Sequence, residues 1–336
     1  LTVLGQPAPG DEGLDNAVTR RYVESRGMNL VTNGSGLMRS NYNFSWATFD
    51  PTETHGGGGS FLDRGIRAFR RTDELIPVDP HRKYLLTAWL KAGNDDGTEF
   101  TEANQYYLAV VEHDADGLII DQPHCYKFPT AVDTTLAADL KPGDTTITLT
   151  DATGWCNDST ANGRILAWYP YTNAKGYTYP AYTYTRNVDG RTAAGLWPPG
   201  GVSGNVITLN APWSGPMLPA GTKVRNARGV GSYKYKGSGA LPNEWTRWGG
   251  VIGGVMPTPT SDSSSVFRTG TAYIKIGFLL NYHGVADAFR VSDVWFGEVA
   301  ELYSADGTPG ATEDVIITAG QNVTLHFKNG LFVGSD

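Results

Sequence analysis

The sequence predicts an all-β protein, and three observations carry that expectation. Glycine and proline contribute 42 and 19 of the 336 residues, so turn-formers interrupt the chain every few positions and leave little room for long helices. Several segments alternate apolar and polar side chains with a period of two, the signature of a half-buried strand. Aromatic residues reach 11 %, which gives such strands large rings to bury and sets the chain apart from a disordered one.

Residues 1–28 read as a linker and a short helix. Asp15 or Asn16 caps its start, Gly27 closes it, and Val18, Tyr22 and Val23 form an apolar stripe. A helix this short needs a partner to be stable. Strands begin in residues 29–130. Tyr42–Phe49 alternates, with Tyr42, Phe44 and Trp46 on one face, and His55–Ser60 is a glycine-rich loop. Tyr84–Lys91 sets Tyr84, Leu86, Ala88 and Leu90 against Leu85, Thr87, Trp89 and Lys91. Gln105–His113 and Leu118–Asp121 flank Asp114–Gly117 as a hairpin. The texture changes over 131–228, where five or six shorter strands, Tyr182–Tyr184 among them, suit a small inserted β-domain. The first texture returns over 229–303, in Trp245–Ile252, Ala272–Leu280 and Phe289–Phe296. Residues 304–336 add a linker and a closing hairpin, Asp314–Thr318 with Asn322–Lys328.

Composition excludes several functions. A net charge of −7 argues against a nucleic-acid partner, whose phosphates call for Lys and Arg. No apolar run approaches the ~18 residues that span a bilayer, so membrane insertion is not expected. Cys125 and Cys156 are too few for a zinc site; they form one disulfide or stay as two buried thiols. There is no G-x-S-x-G, no H-E-x-x-H and no Gly-Lys phosphate loop. The densest polar group, Glu112, His113, Asp114 and Asp116, reads as a solvated hairpin turn, with a metal or acid–base site as the alternative. The chain is therefore expected not to be an enzyme. The rival is a pair of carboxylates of the glycosidase kind among its 34 acidic residues.

Three segments, in this order, resemble carbohydrate-binding-module-like jelly rolls: Asn29-Leu-Val-Thr-Asn33-Gly34, Ile76–Tyr84 ahead of the first long strand, and Phe289-Arg-Val-Ser-Asp293-Val. The match covers roughly 29–130 and 229–303. Ala17–Glu24 resembles a short helix that recurs in phage tail fibres, and Phe327-Lys-Asn-Gly330-Leu resembles the endings of fibre subdomains. The resemblance implies a jelly-roll β-sandwich split by the inserted domain, in a bacteriophage tail fibre or tail-tip protein. It implies an extracellular virion component that attaches to a host cell-surface glycan, with other virion proteins as partners and a homotrimer as its assembly. A purely structural fibre segment and a glycan depolymerase or glycosidase-associated module are the alternatives. Such jelly rolls often hold Ca²⁺ between an acid just after the opening Asn-Gly and an Asp of the last strand. Asp293 matches the second position, whereas Ser35-Gly36-Leu37-Met38 offers no carboxylate for the first. No other cofactor is implied.

Sugars present C–H faces ringed by hydroxyls, which suit a flat aromatic ring with polar neighbours. Trp245 and Trp248 around Arg247, Tyr282 beside Asn281 and His283, and Trp89 are the glycan-contact candidates. The same rings also suit a sandwich core. Tyr177 and Tyr179 belong to a Tyr-rich stretch that fits a glycan platform, a subunit contact or a face packed on the sandwich.

Overall fold

The computed structural model describes residues 29–299, apart from 56–57, 65–66, 94–104 and 283–287, and the backbone of three strands between 314 and 335. Asn29–Phe296 form one compact unit, and the two ends of the chain belong to another.

The first unit is built on two antiparallel sheets. The first sheet runs in the order Thr48–Asp50, Ser60–Asp63, Ala288–Glu298, Lys83–Gly93, Thr246–Gly253. The second runs Tyr233–Gly239, Tyr106–His113, Tyr273–Leu279, Phe69–Arg71, with Ile76–Pro77 also paired to Tyr273–Leu279. Strands from 29–130 and from 229–303 thus interleave in both sheets. Alternation decides what each strand buries. Tyr84, Leu86, Ala88 and Leu90 of the first sheet share one core with Leu108, Val110, Ile274, Ile276 and Phe278 of the second. Phe44 lies stacked on Phe61, with centroids 3.9 Å apart. The chain is an all-β sandwich.

One expected strand is mostly absent. Of Tyr42–Phe49 only the end pairs, in Thr48–Asp50. Phe44 N–H donates to the Asn41 carbonyl, Ala47 N–H donates to that of Phe44, and Asn43 sits at φ 66°. These successive turns bury Phe44 while leaving Tyr42 exposed, so an alternating sequence is spent on turns.

Residues 131–228 hold nine short strands in three small sheets. They surround a core of their own, which includes Trp155, Trp197, Ile207 and Trp213. The expectation of five or six strands is too few, and Tyr182–Tyr184 is not one of them: Tyr182 sits at φ 67° in a turn. The chain enters and leaves this part at a narrow neck. Phe128 N–H donates to the Asn226 carbonyl (2.8 Å) and Arg228 N–H to that of Tyr126 (3.0 Å). Cys125 and Cys156 are both buried and free, so the disulfide is ruled out in favour of two thiols.

The polar group around His113 is not a solvated turn. Glu112 and Asp114 are fully buried. Glu112 pairs with Arg268 (3.1 Å), which also pairs with Asp262 (3.1 Å), and Asp262 in turn pairs with Lys234. Two acids thus balance two bases, as buried charge requires. Asp114 accepts from Arg186 (2.6 Å) and from the Tyr184 hydroxyl (2.9 Å). Both partners come from 131–228, so this carboxylate ties the inserted part to the sandwich.

In the second unit the expected hairpin has a third strand: Asp314–Ala319, Gln321–Lys328 and Leu331–Ser335 pair antiparallel in sequence order. The short helix expected before Gly27 lies outside the described residues.

Candidate functional site

Trp89 and Lys91 occupy outward positions of Lys83–Gly93, and Arg247 lies directly across from Trp89 on the edge strand Thr246–Gly253. A loop folds over this outer face. The Ser292 hydroxyl donates to the backbone carbonyls of His55 (3.0 Å) and Gly59 (3.1 Å), which seats the loop on the sheet. The glycines of the loop permit the approach, because a Cβ on Gly58 would collide with the Ser35 carbonyl.

The loop delivers His55 onto Trp89, with ring centroids 3.5 Å apart and planes 18° from parallel. Trp245 meets the same imidazole edge-on at 6.3 Å. The Lys91 ammonium lies 5.6 Å from the Trp245 ring and pairs with Glu53 at 3.0 Å. On the other side of His55, its Nδ1 lies 3.5 Å from the Asp293 carboxylate. Asp293 holds φ 47° where the last long strand breaks its alternation, Phe289 and Val291 facing inward and then Val294 and Phe296. A non-glycine residue in the left-handed region costs about 1–3 kcal/mol. The strain aims this carboxylate at His55. Three rings, two acids and two cations, Lys91 and Arg247, therefore share one half-exposed patch.

Of the sequence candidates, Trp89, Trp245, Arg247 and Asp293 come together here. Trp248 does not. It pairs across from Ala88, faces inward, and packs on the sandwich core and over Gly237. Tyr179 is buried among Ile120, Cys125, Tyr184 and Met256, whereas Tyr177 is exposed. Tyr282 is exposed on the other sheet, edge-on to Tyr107. The calcium expectation at Asp293 meets a different partner, His55. Among the described residues no group of three or more His, Cys, Asp or Glu is placed to hold a metal ion. Sequence reasoning missed Glu53, His55 and Lys91. Their signal was only the glycine run after His55, which marks a backbone that must lie close to something.

No family model and no curated protein matches the chain. Among solved structures, it is similar to the enzymatically active domain of tailspike protein 4 of bacteriophage CBA120. The identity is 10 % and the TM-score 0.28, over 81 % of this chain and 21 % of the other. The chain thus spans about a fifth of the length of that structure. That domain is described as enzymatically active, which stands against the expectation that this chain is not an enzyme. The missing local motif does not decide the point, because a pair of catalytic carboxylates can come from distant strands.

Proposed function

We propose that this chain is a glycan-engaging component of a bacteriophage tail, working at the host surface as part of a carbohydrate-degrading apparatus. The observation that carries the reading is the His55–Trp89–Trp245 ring cluster flanked by Glu53 and Asp293. The rings suit the C–H face of a pyranose, and the polar groups suit its hydroxyls. Glu53 and Asp293 at this cluster are residues of the type that glycoside hydrolysis uses. The attribution to a phage tail rests on the sequence resemblances at Ala17–Glu24 and Phe327–Leu331, as do a virion location, virion partners and a homotrimer, which light scattering of the full chain tests.

A glycan array read with the full chain tests the function. Trp89→Ala and Trp245→Ala are expected to lose binding at least tenfold while melting within a few degrees of the parent. Binding that both variants retain overturns the reading. Reducing-sugar release from the bound glycan, followed in Glu53→Gln and Asp293→Asn, reads the catalytic part. Asn is the isostere that tolerates the left-handed backbone at 293. Release that either variant abolishes assigns the chemistry to this patch, and release that both retain removes it from here.

A further inference from the structure

The outer face of the second sheet carries a different surface. Strand register puts Tyr107, Ala109 and Val111 on it, beside Tyr233 and Tyr235 on one neighbour and Lys275 and Gly277 on the other. Four rings make a continuous ladder: Phe69 to Tyr233 at 4.1 Å, Tyr233 to Tyr235 at 6.1 Å, and Tyr235 to Tyr107 at 4.7 Å. Gly277 makes room for it, because a Cβ there would lie 2.7 Å from the Phe69 ring. Tyr235 is 40 % exposed. Among the described residues, the hydroxyls of Tyr107, Tyr233 and Tyr235 make no hydrogen bond, so they are open to a ligand.

At its Phe69 end the ladder runs into an open groove of about 720 Å³, lined by Trp46, Phe69, Arg71, His113, Arg186 and Lys275 among others. Its lining holds Arg70, Arg71, Arg186 and Lys275 against one carboxylate, Asp73. The Arg71 guanidinium lies 5.8 Å from the Phe69 ring, and no ion pair engages it among the described residues. The Lys275 ammonium donates to the Asp73 backbone carbonyl, while the Asp73 carboxylate is taken by the Ser45 N–H (2.9 Å) and hydroxyl (2.6 Å). Arg186 is matched by Asp114 and Arg70 by Asp63. Arg71 and Lys275 are thus two cations on adjacent strands that make no ion pair among the described residues, with the single Asp73 carboxylate also lining the groove. Burial and then the Arg71 charge hold the Lys275 ammonium below its usual range, against the Asp73 charge. Burial, followed by the Lys275 and Arg71 charges, lowers His113 to about 4.

We propose that this face is a binding site for an acidic polysaccharide, with pyranose rings laid along Tyr107, Tyr235, Tyr233 and Phe69 and a ring carboxylate held between Arg71 and Lys275. The ladder supplies flat apolar contact and free hydroxyls, and the groove supplies the complementary charge. A neutral glycan would leave the two cations without the partner they lack. The site lies on the opposite sheet from His55, Trp89 and Trp245, so it stands independently of the function proposed above.

The test uses the full chain with polygalacturonate and hyaluronate as uronate probes, dextran as the neutral probe, heparin as a sulfated probe and duplex DNA as a phosphate probe, each titrated by calorimetry. The uronate polymers are expected to bind, more weakly as salt rises, and dextran is expected not to bind. Arg71→Gln and Lys275→Gln are each expected to weaken uronate binding about tenfold, and Tyr235→Ala several-fold, with melting temperatures unchanged. Trp89→Ala and Trp245→Ala are expected to leave it intact, which separates this site from the other. The proposal is overturned if no uronate polymer binds, if the Arg71 and Lys275 variants bind like the parent, or if dextran, heparin or DNA binds as tightly as the uronates. Loss of uronate binding in the Trp89 and Trp245 variants overturns it too.

Discussion

His113 and His124 are each 3 % exposed, and burial lowers their pKa to about 4 and about 3. Both act as neutral rings: Nδ1 of His113 donates to the Val111 carbonyl (3.1 Å), and Nδ1 of His124 accepts from the Asp121 N–H (3.1 Å). The unfolded chain binds protons at both near pH 6.5, while in the folded chain His113 does so only near pH 4 and His124 only near pH 3. Their contribution is therefore fully present above about pH 6.5 and is lost as pH falls toward 4. The slope approaches ~1.4 kcal/mol per pH unit for each proton. Asp114, with its carboxyl held below the usual range by its bonds to the Leu118 N–H, Arg186 and Tyr184 against the cost of burial, adds a further loss below about pH 4. Thermal melts at pH 7, 5.5 and 4 should fall steadily, and less steeply in His113→Asn; a flat profile would refute this. Little of it was legible in sequence. Asp114 stands in a run of acids that reads as a turn, and its partners lie some seventy positions away. A far longer separation in sequence hides His55 from Asp293.

At the level of strands, period-two alternation located the long ones well: Lys83–Gly93, Thr246–Gly253, Tyr273–Leu279 and Ala288–Glu298 start and end within about two residues of expectation. Alternation also sorted their faces, so that Trp89 outward and Leu90 inward follow from the pattern alone. It failed where turns mimic the period, at Tyr42–Phe49, and in the inserted part, whose strands are too short to show any period. Trp248 follows the alternation, on the same face as the inward Ile252, and it was the polar neighbours that wrongly suggested an exposed ring; its packing depends also on the neighbouring Tyr233–Gly239 strand. There Gly237 leaves the space that the indole fills: a Cβ would lie 2.8 Å from the ring. Gly237→Val should therefore push Trp248 off the core edge. The expected cost is about 1–3 kcal/mol by chemical denaturation, with a shift of tryptophan emission toward longer wavelength. Unchanged stability and emission would mean that the ring moves aside freely.

Across Asn29–Phe296, two cores serve two parts of one unit, and a third cluster joins them. Ile120 and Cys125 before the neck, Tyr179 and Tyr184 within the inserted part, and Met256 after it pack together. The Asp114 pair with Arg186 and Tyr184 lies beside this cluster. We expect the parent to unfold in a single calorimetric transition. Arg186→Ala leaves Asp114 buried without its cation, at a cost of about 3 kcal/mol. That variant should show a broadened or split endotherm as the inserted part melts first. A split endotherm in the parent, or a sharp single one in the variant, would show that the bond does not couple the two.

The neck bears on ancestry. Phe128 and Asn226 share a hydrogen bond, so nearly a hundred residues form an excursion that ends where it began. A gene can shorten, lengthen or exchange that excursion without moving a single strand of the sandwich out of register. The newcomer must bring a cation for Asp114, apolar side chains for Ile120 and Met256, and donors for the His124 and Cys125 carbonyls that Thr185 and Arg225 now meet. Recombination between related genes thus has a ready seam, and on either side of it one half of the molecule is free to diverge while the other is inherited unchanged.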